Sequence, residues 1–370
     1  MKITCLIDSL NSGGAQRQIV NLAVLLKKKG HEVDLISYYP QNHFDLILKK
    51  YNLKHHQLSS KNKFHRIFKV KNKVKKIEPD ILIAFLDIPS FIAILISSPY
   101  SKWKTVVSER VIEIKTASFL RRLNRFLYRW VDYVTTNSFS NKNLIIKNSV
   151  IRDNKLKVIY NSVDLKRFKP DKNGLKFKNK FISVASFRET KNALGLFKAI
   201  SKLKTMRPDL NFTLDWFGHK NNKVLEKSSK VYDEAVKYIF DNNLEEIIRV
   251  YSPVKNIESK YIQYDALILP SFTEGLPNVV CEAMTCGLPI LMSDVADAKL
   301  LVENEKNGYL FNPHVSDEIC SALINFMTLD KNNKQKMGNL SRAKSELLFS
   351  EKKYVESYYD VFKKLIYDKK

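Results

Sequence analysis

Two glutamates eight positions apart, Glu274 and Glu282, mark the stretch of this chain richest in chemistry. The surrounding residues, Leu269 to Pro289, read as a strand end, a loop through Gly275, a helix opening near Asn278, a stop at Gly287 and the next strand. The backbone from Gly275 through Leu276 and Asn278 to Val279 then makes a helix N-terminus that accepts an anion. Carboxylates accept hydrogen bonds from vicinal hydroxyls, so Glu274 before the helix and Glu282 about two turns into it suit two sugar rings of one nucleotide-sugar. A pair of solvated helix-start acids is the plain alternative, and the glycine and proline pattern around them weighs against it. Two further loops follow apolar runs in the same way. Ser186–Asn192 carries Arg188 and Lys191, two cations suited to a diphosphate, and Asn11–Gly14 carries Gly13 and Gly14, where the missing Cβ lets backbone approach a phosphate. Arg188 reads either as a phosphate ligand or as a surface arginine. Glu109 and Arg110 end a third run, Thr105–Ser108, and read either as groups near a reacting carbon or as a structural salt bridge.

These loops need a scaffold that ends strands where helices begin. Short β-branched runs alternate with helical patterns along the chain, among them Glu32–Tyr38, Ile81–Phe85, Tyr133–Thr136, Phe212–Phe217, Ile247–Tyr251 and Ala266–Leu269. Such alternation predicts parallel sheets covered by helices, with ligand loops at the carboxyl edge. The expected fold is α/β with two Rossmann-like, doubly wound domains, residues 1–165 and 166–350, followed by a C-terminal helix over 351–370 that packs back on the first domain. Val163–Lys180, basic and punctuated by Pro170 and Gly174, is the expected linker.

A chain of 370 residues with 44% hydrophobic and 11% aromatic residues suits two buried cores and excludes long disordered tracts. Its net charge of +25 is lopsided: residues 1–165 hold 29 basic and 12 acidic side chains, a balance of +17, against +8 for the remainder. The first half therefore expects an anionic partner, whether membrane, nucleic acid or phosphorylated ligand. Lys61–Lys76 and Phe119–Trp130 interleave aromatics with Lys and Arg, which suits either a helix lying on an anionic bilayer, with Arg121, Arg122 and Arg125 facing the membrane, or an ordinary helix with a buried apolar face. Four cysteines without CxxC spacing suggest neither disulfides nor zinc, and a reducing cytoplasm is expected. No Asp-x-Asp or His/Cys cluster has ligand spacing, so no metal is expected. Asp8 interrupts the N-terminal apolar run too early for a signal peptide, and Asp87 and Pro89 break Ile81–Ile96 as a membrane span.

The Glu-x₇-Glu block resembles the signature of glycosyltransferase family 4, retaining enzymes of the GT-B fold with two such domains facing across a cleft. Ser12–Gln16, Tyr160–Asp164 and Arg188–Asn192 resemble the family's first loop, interdomain strand end and basic phosphate loop. The resemblance implies that Glu282 holds the nucleotide ribose, that Glu274 with the Gly275–Val279 backbone holds the donor sugar, and that Lys191 with an arginine neutralises the diphosphate. Ser186 stands where the family usually places that arginine, which makes Arg188 the substitute; Glu109–Arg110 stand near the family's donor-contacting histidine. The implied catalytic set is Glu274, Lys191, Arg188 and Arg110. The expected function is retaining transfer of a hexose or N-acetylhexosamine from a nucleotide-diphosphate donor to a glycan acceptor, lipid-linked at the cytoplasmic membrane face, in cell-surface polysaccharide assembly. No cofactor beyond the nucleotide-sugar co-substrate and no nucleic-acid partner is expected. The alternatives are a nucleotide-sugar epimerase of the same fold and, from a different class, a basic nucleic-acid-binding protein.

Overall fold

A computed structural model of the chain describes residues 1–40, 43–60, 62–97, 101–110, 119–174, 176–219 and 230–367. The chain divides into two compact units, Met1–Ser162 with Glu351–Lys370, and Val163–Ser350. The division falls after Ser162 rather than after Leu165. Gln18 explains why: its side chain accepts from the Ser162 N–H at 3.0 Å and donates to the Ser162 carbonyl at 2.9 Å, which ties the chain to the first unit up to that residue.

In the first unit the described residues form strands β1 (Lys2–Leu6), β2 (Glu32–Ser37), β3 (Lys54–Gln57), β4 (Ile81–Phe85), β5 (Lys104–Glu109), β6 (Tyr133–Thr136) and β7 (Leu156–Val158). They pair in parallel in the order β3-β2-β1-β4-β5-β6-β7. Central strands such as β4, Ile-Leu-Ile-Ala-Phe, are continuously apolar because both faces are covered. Alternate residues feed two cores. Ile3, Cys5, Ile81 and Ile83 pack with α1 (Gly14–Lys28) and α2 (Asp45–Lys50), while Leu82, Ala84 and Val107 pack with α3 (Lys63–Ile77), α4 (Asp87–Ile96), α5 (Phe119–Leu127) and α6 (Phe139–Asn148). The C-terminal helix Glu351–Tyr367 adds Tyr354, Val355, Tyr358, Val361 and Phe362 to the first of these cores, and the Tyr354 hydroxyl donates to the Gln18 carbonyl of α1 at 3.1 Å. One strand has no apolar signal in the sequence. The residues of β3, Lys-His-His-Gln, form an edge strand that is paired only with β2 and half-exposed, so hydropathy does not mark it.

In the second unit β8 (Lys180–Val184), β9 (Thr213–Phe217), β10 (Ile248–Tyr251), β11 (Ala266–Leu269), β12 (Ile290–Ser293) and β13 (Gly308–Phe311) pair in parallel in the order β10-β9-β8-β11-β12-β13. Helices α7 (Ala193–Met206), α8 (Lys230–Asp241), α9 (Glu258–Tyr261), α10 (Asn278–Thr285), α11 (Ala298–Leu301), α12 (Ser316–Thr328) and α13 (Lys331–Phe349) connect or flank them. Strand β13 is also an edge strand, but its residues, Gly-Tyr-Leu-Phe, are apolar and largely buried. Its Gly308 is required, because a Cβ there would lie 1.8 Å from the Ile290 carbonyl oxygen. The two sheets make the fold doubly wound in each unit, and no helix among the described residues is long and apolar enough to cross a membrane.

All four cysteines are reduced and buried. Burial, with Asp34 adding to it, pushes the Cys5 thiol up to about 12, and burial with Glu282 does the same to Cys286. Thiolate attack needs the ionised form, so a thiol reagent such as DTNB is expected to leave the native protein unlabelled over minutes at pH 8 and to titrate all four cysteines after denaturation. Rapid labelling of native protein would contradict this packing.

Candidate active site

In the second unit the loops after β8, β9, β11 and β13 meet at the carboxyl edge of the sheet. The loop after β8 is anchored by Phe187. Its ring is buried 5.5 Å from that of Trp216 and its N–H donates to the His219 carbonyl at 3.2 Å. The next turn, Glu189–Lys191, ends on Asn192 in the left-handed conformation (φ 52°), whose side chain donates to the Pro313 carbonyl at 3.0 Å. This turn reverses the chain into α7 and brings Lys191 over the loop after β11. Gly218 makes the convergence possible, since a Cβ there would sit 1.9 Å from the Ala185 carbonyl oxygen.

The loop after β11 receives Lys191. Its ammonium lies 2.5 Å from Glu274 Oε1, and the same oxygen accepts from the Ser271 hydroxyl at 2.6 Å. The Phe272 N–H donates to the Thr190 carbonyl at 2.9 Å, which links the two loops through backbone as well. Thr273 Oγ1, beside Glu274, is buried without a hydrogen-bond partner among the described residues. Helix α10 opens at Asn278, four positions after Glu274, with Pro277 in the N-cap position. Leu276 is buried at 5% exposure, so only its backbone can take part in that anion-accepting turn. Gly275, Asn278 and Val279 are partly exposed beside it.

Glu282 lies on α10 and is 3% exposed. Its carboxylate accepts from the Tyr261 hydroxyl at 3.2 Å, and Arg167, paired with Glu258 at 2.9 Å, feels its charge as well. Arg188 is exposed at the start of the Glu189–Lys191 turn. Glu274, Lys191 and the head of α10 thus form one cluster, with Arg188 on its rim. Ser271, Thr273 and Tyr261 belong to this neighbourhood and carried no sequence signal, because a lone hydroxyl has no characteristic spacing; Ser271 could be inferred only from its place three residues before Glu274. Among the described residues no group of three or more His, Cys, Asp or Glu side chains is placed to hold a metal.

The first unit holds the remaining residues singled out in the sequence. Gly13 caps α1 with an extended backbone (φ −75°), and its N–H donates to Asn11 Oδ1 at 3.0 Å. A Cβ there would meet only the movable end of Gln16 and the Asn11 side chain, so the fold alone does not demand glycine. Gly14 is the first residue of that helix. Glu109 and Arg110 are not paired with each other. Glu109, 2% exposed, accepts from Arg125 at 2.5 Å and from the Tyr128 hydroxyl at 2.8 Å, and burial with that carboxylate raises the Tyr128 phenol far above its ordinary range. Arg110, 8% exposed, donates to Asn161, to the Tyr358 hydroxyl at 3.2 Å and to Ser108 at 3.4 Å, with its guanidinium 4.3 Å from the centre of the Phe85 ring. Its guanidinium is committed to holding β5, the end of the unit and the C-terminal helix together.

The expected membrane-facing arginines need the clearest correction. Arg121 and Arg125 are each 4% exposed, and they neutralise Asp87 at 2.7 Å and Glu109 at 2.5 Å inside the unit. Of the three, only Arg122 faces outward. A charged side chain is buried where a partner of opposite charge waits for it, and those partners lie on β5 and at the start of α4.

Proteins similar to this chain are glycosyltransferases. The model of glycosyl transferases group 1 matches residues 166–344, and that of glycosyltransferase family 4 matches residues 12–167. A Campylobacter jejuni alpha-1,4-N-acetyl-D-galactosaminyltransferase that acts on a GalNAc-GalNAc-diNAcBac-diphosphate-undecaprenol is 26% identical over 352 residues, covering 91% of each chain. An Escherichia coli UDP-galactose:GlcNAc-diphosphoundecaprenol alpha-1,3-galactosyltransferase is 26% identical over 224 residues, 55% of each chain. Among solved structures, a Rickettsia africae glycosyltransferase superposes with a TM-score of 0.85 at 17% identity, covering 100% of this chain and 99% of its own. Anabaena HepE in complex with UDP and glucose gives 0.80 at 18% identity, covering 97% and 98%. The two family matches together span both units, and the chain is a glycosyltransferase of the GT-B fold built from a glycosyltransferase family 4 domain followed by a glycosyl transferases group 1 domain.

Proposed function

We propose that the enzyme transfers a hexose or N-acetylhexosamine, with retention of configuration, from a nucleoside-diphosphate donor to a glycan linked through diphosphate to a lipid, at the cytoplasmic face of the membrane. The observation that carries the reading is the cluster of Lys191, Glu274 and Ser271 at the head of α10. A departing nucleoside diphosphate gains negative charge as the bond to the sugar breaks. A fixed ammonium and helix amides stabilise that charge most in the transition state. Glu274, held by Lys191 and Ser271, accepts hydrogen bonds from donor-sugar hydroxyls, and Glu282 does so from the ribose. The relatives acting on undecaprenyl diphosphate-linked glycans and the UDP-bound neighbour support the choice of acceptor and donor class.

With Glu274 engaged in this way, no carboxylate in the cluster is reserved as a nucleophile. The acceptor oxygen attacks on the face from which the diphosphate leaves: the new bond to the anomeric carbon forms as the bond to the phosphate oxygen breaks, and that oxygen takes the acceptor proton. Lys191, Arg188 and the helix amides supply the positive charge this needs, so no metal is required for it. The test is a transfer assay with a panel of UDP-sugars and an undecaprenyl diphosphate-linked N-acetylhexosamine acceptor, the product anomer being read by NMR. Transfer with retention that survives excess EDTA is expected. An inverted product, or activity lost in EDTA and restored by magnesium or manganese, would overturn the mechanism; epimerised donor formed without acceptor would overturn the reaction class.

A further inference from the structure

Helices α3, α4 and α5 lie in one layer on the same face of the first sheet, packed in that order, and each turns an unusual stripe away from the core. On α3, Phe64 is 83% and Phe68 60% exposed, and Lys71 and Lys75 continue the same helical stripe. On α4, Ile88 and Leu95 are 42% and 48% exposed. On α5 and the turn after it, Phe119, Phe126 and Trp130 are 82%, 50% and 64% exposed, with Arg122 and Arg129 between them. The Arg129 guanidinium lies 3.8 Å from the centre of the Phe126 ring, and the Trp130 ring stands edge-on to Phe126 at 6.1 Å. Isolated exposed apolar residues are ordinary, but three adjacent helices each presenting large ones, aromatic on α3 and α5 and aliphatic on α4, are not. No acidic residue lies in Lys63–Ile77 or Phe119–Trp130, and Asp87 of α4 is occupied by Arg121.

We infer that this outer surface of α3, α4 and α5 is the docking face for an anionic lipid bilayer, with Phe64, Phe68, Phe119, Phe126 and Trp130 entering the headgroup region and the neighbouring Lys and Arg pairing with lipid phosphates. Charge selects this occupant. Two copies of the face would set like charges against each other, whereas an anionic surface complements them and receives the rings at its apolar boundary. The inference rests on the lipid-linked acceptor for its purpose and places the contact on residues other than the buried Arg121 and Arg125.

The experiment is co-sedimentation of the full chain with phosphatidylcholine vesicles, with and without phosphatidylglycerol. The wild type is compared with Phe126→Ser/Trp130→Ser, with Arg122→Glu/Arg129→Glu, and with Leu347→Ser, a substitution at an exposed apolar residue of the second unit, as control. The wild type and the control are expected to bind phosphatidylglycerol vesicles, and each double variant to bind at least about tenfold more weakly. Transfer to a short-chain, water-soluble diphosphate acceptor should stay at the wild-type rate in all. A wild type that ignores phosphatidylglycerol, double variants that bind as it does, or a vesicle-free dimer dissolved by the same substitutions would overturn the inference. Absence of transfer to any acceptor despite normal vesicle binding would instead sink the functional reading and leave the docking face standing.

Discussion

Lys191→Ala is expected to lower kcat/KM by about one hundredfold, and Glu274→Gln by a comparable factor. The lysine supplies a fixed charge where the leaving diphosphate develops its own, and loss of one such group costs roughly 2.7–4 kcal/mol of transition-state stabilisation. The substitution has a second effect. Glu274 is held by Lys191 at 2.5 Å and Ser271 at 2.6 Å, with its side chain 9% exposed, so removing the ammonium leaves a poorly solvated carboxylate facing the phosphates. The two residues should therefore behave as a unit, and the double variant should be little worse than the poorer single one. Arg188→Ala, at an exposed position on the rim, should cost about tenfold. Glu282→Ala should raise the donor KM more than it lowers kcat, because it binds the part of the donor that does not react. Wild-type steady-state kinetics in Lys191→Ala, or singles that multiply in the double variant, would refute the cluster as the donor-diphosphate site.

The second large effect is on stability. Arg125→Ala should lower the free energy of unfolding of the first unit by about 3–5 kcal/mol, since it strands the Glu109 carboxylate in a site where both side chains are nearly inaccessible. Arg122→Ala, on the exposed side of the same helix, should change stability by no more than about 0.5 kcal/mol. Urea denaturation separates the two, read by the fluorescence of Trp103 and Trp130, both in this unit. Replacing the pair together, Arg125→Met with Glu109→Gln, should recover part of the loss, because no desolvated charge remains and the Gln carbonyl oxygen can still accept from the Tyr128 hydroxyl. Equal midpoints for Arg125→Ala and the wild type would show the ion pair to be dispensable.

The architecture was readable because parallel strands covered on both faces are continuous apolar runs. Ile81–Phe85 and Ala266–Leu269 announce themselves in that way, and the helices between them repeat at 3.6 residues. An edge strand can lose that signature, as the polar Lys54–Gln57 does, whereas the edge strand Gly308–Phe311 keeps apolar residues and is obscured by its four-residue length and opening glycine. The donor loop was readable for a different reason. The residues from Ser271 to Gly287 are consecutive, so one local pattern contains the strand end, the glycine turn, the helix start and both glutamates.

What the sequence determined by itself was thus everything local: two α/β halves, the loops at their strand ends and the Glu-x₇-Glu block. The tertiary structure decided what depends on partners distant in the chain. Lys191 meets Glu274 across 83 positions, Arg125 and Arg121 find Glu109 and Asp87 and so leave the surface they were expected to occupy, and Arg110 is committed to Asn161 and Tyr358. Sequence pattern records whether a residue is charged, but the energy of that charge depends on whether an opposite one is brought within about 4 Å and shielded from water. Only the folded chain fixes that distance, and so only the fold separates the arginines that brace the first unit from those free to meet a ligand or a lipid.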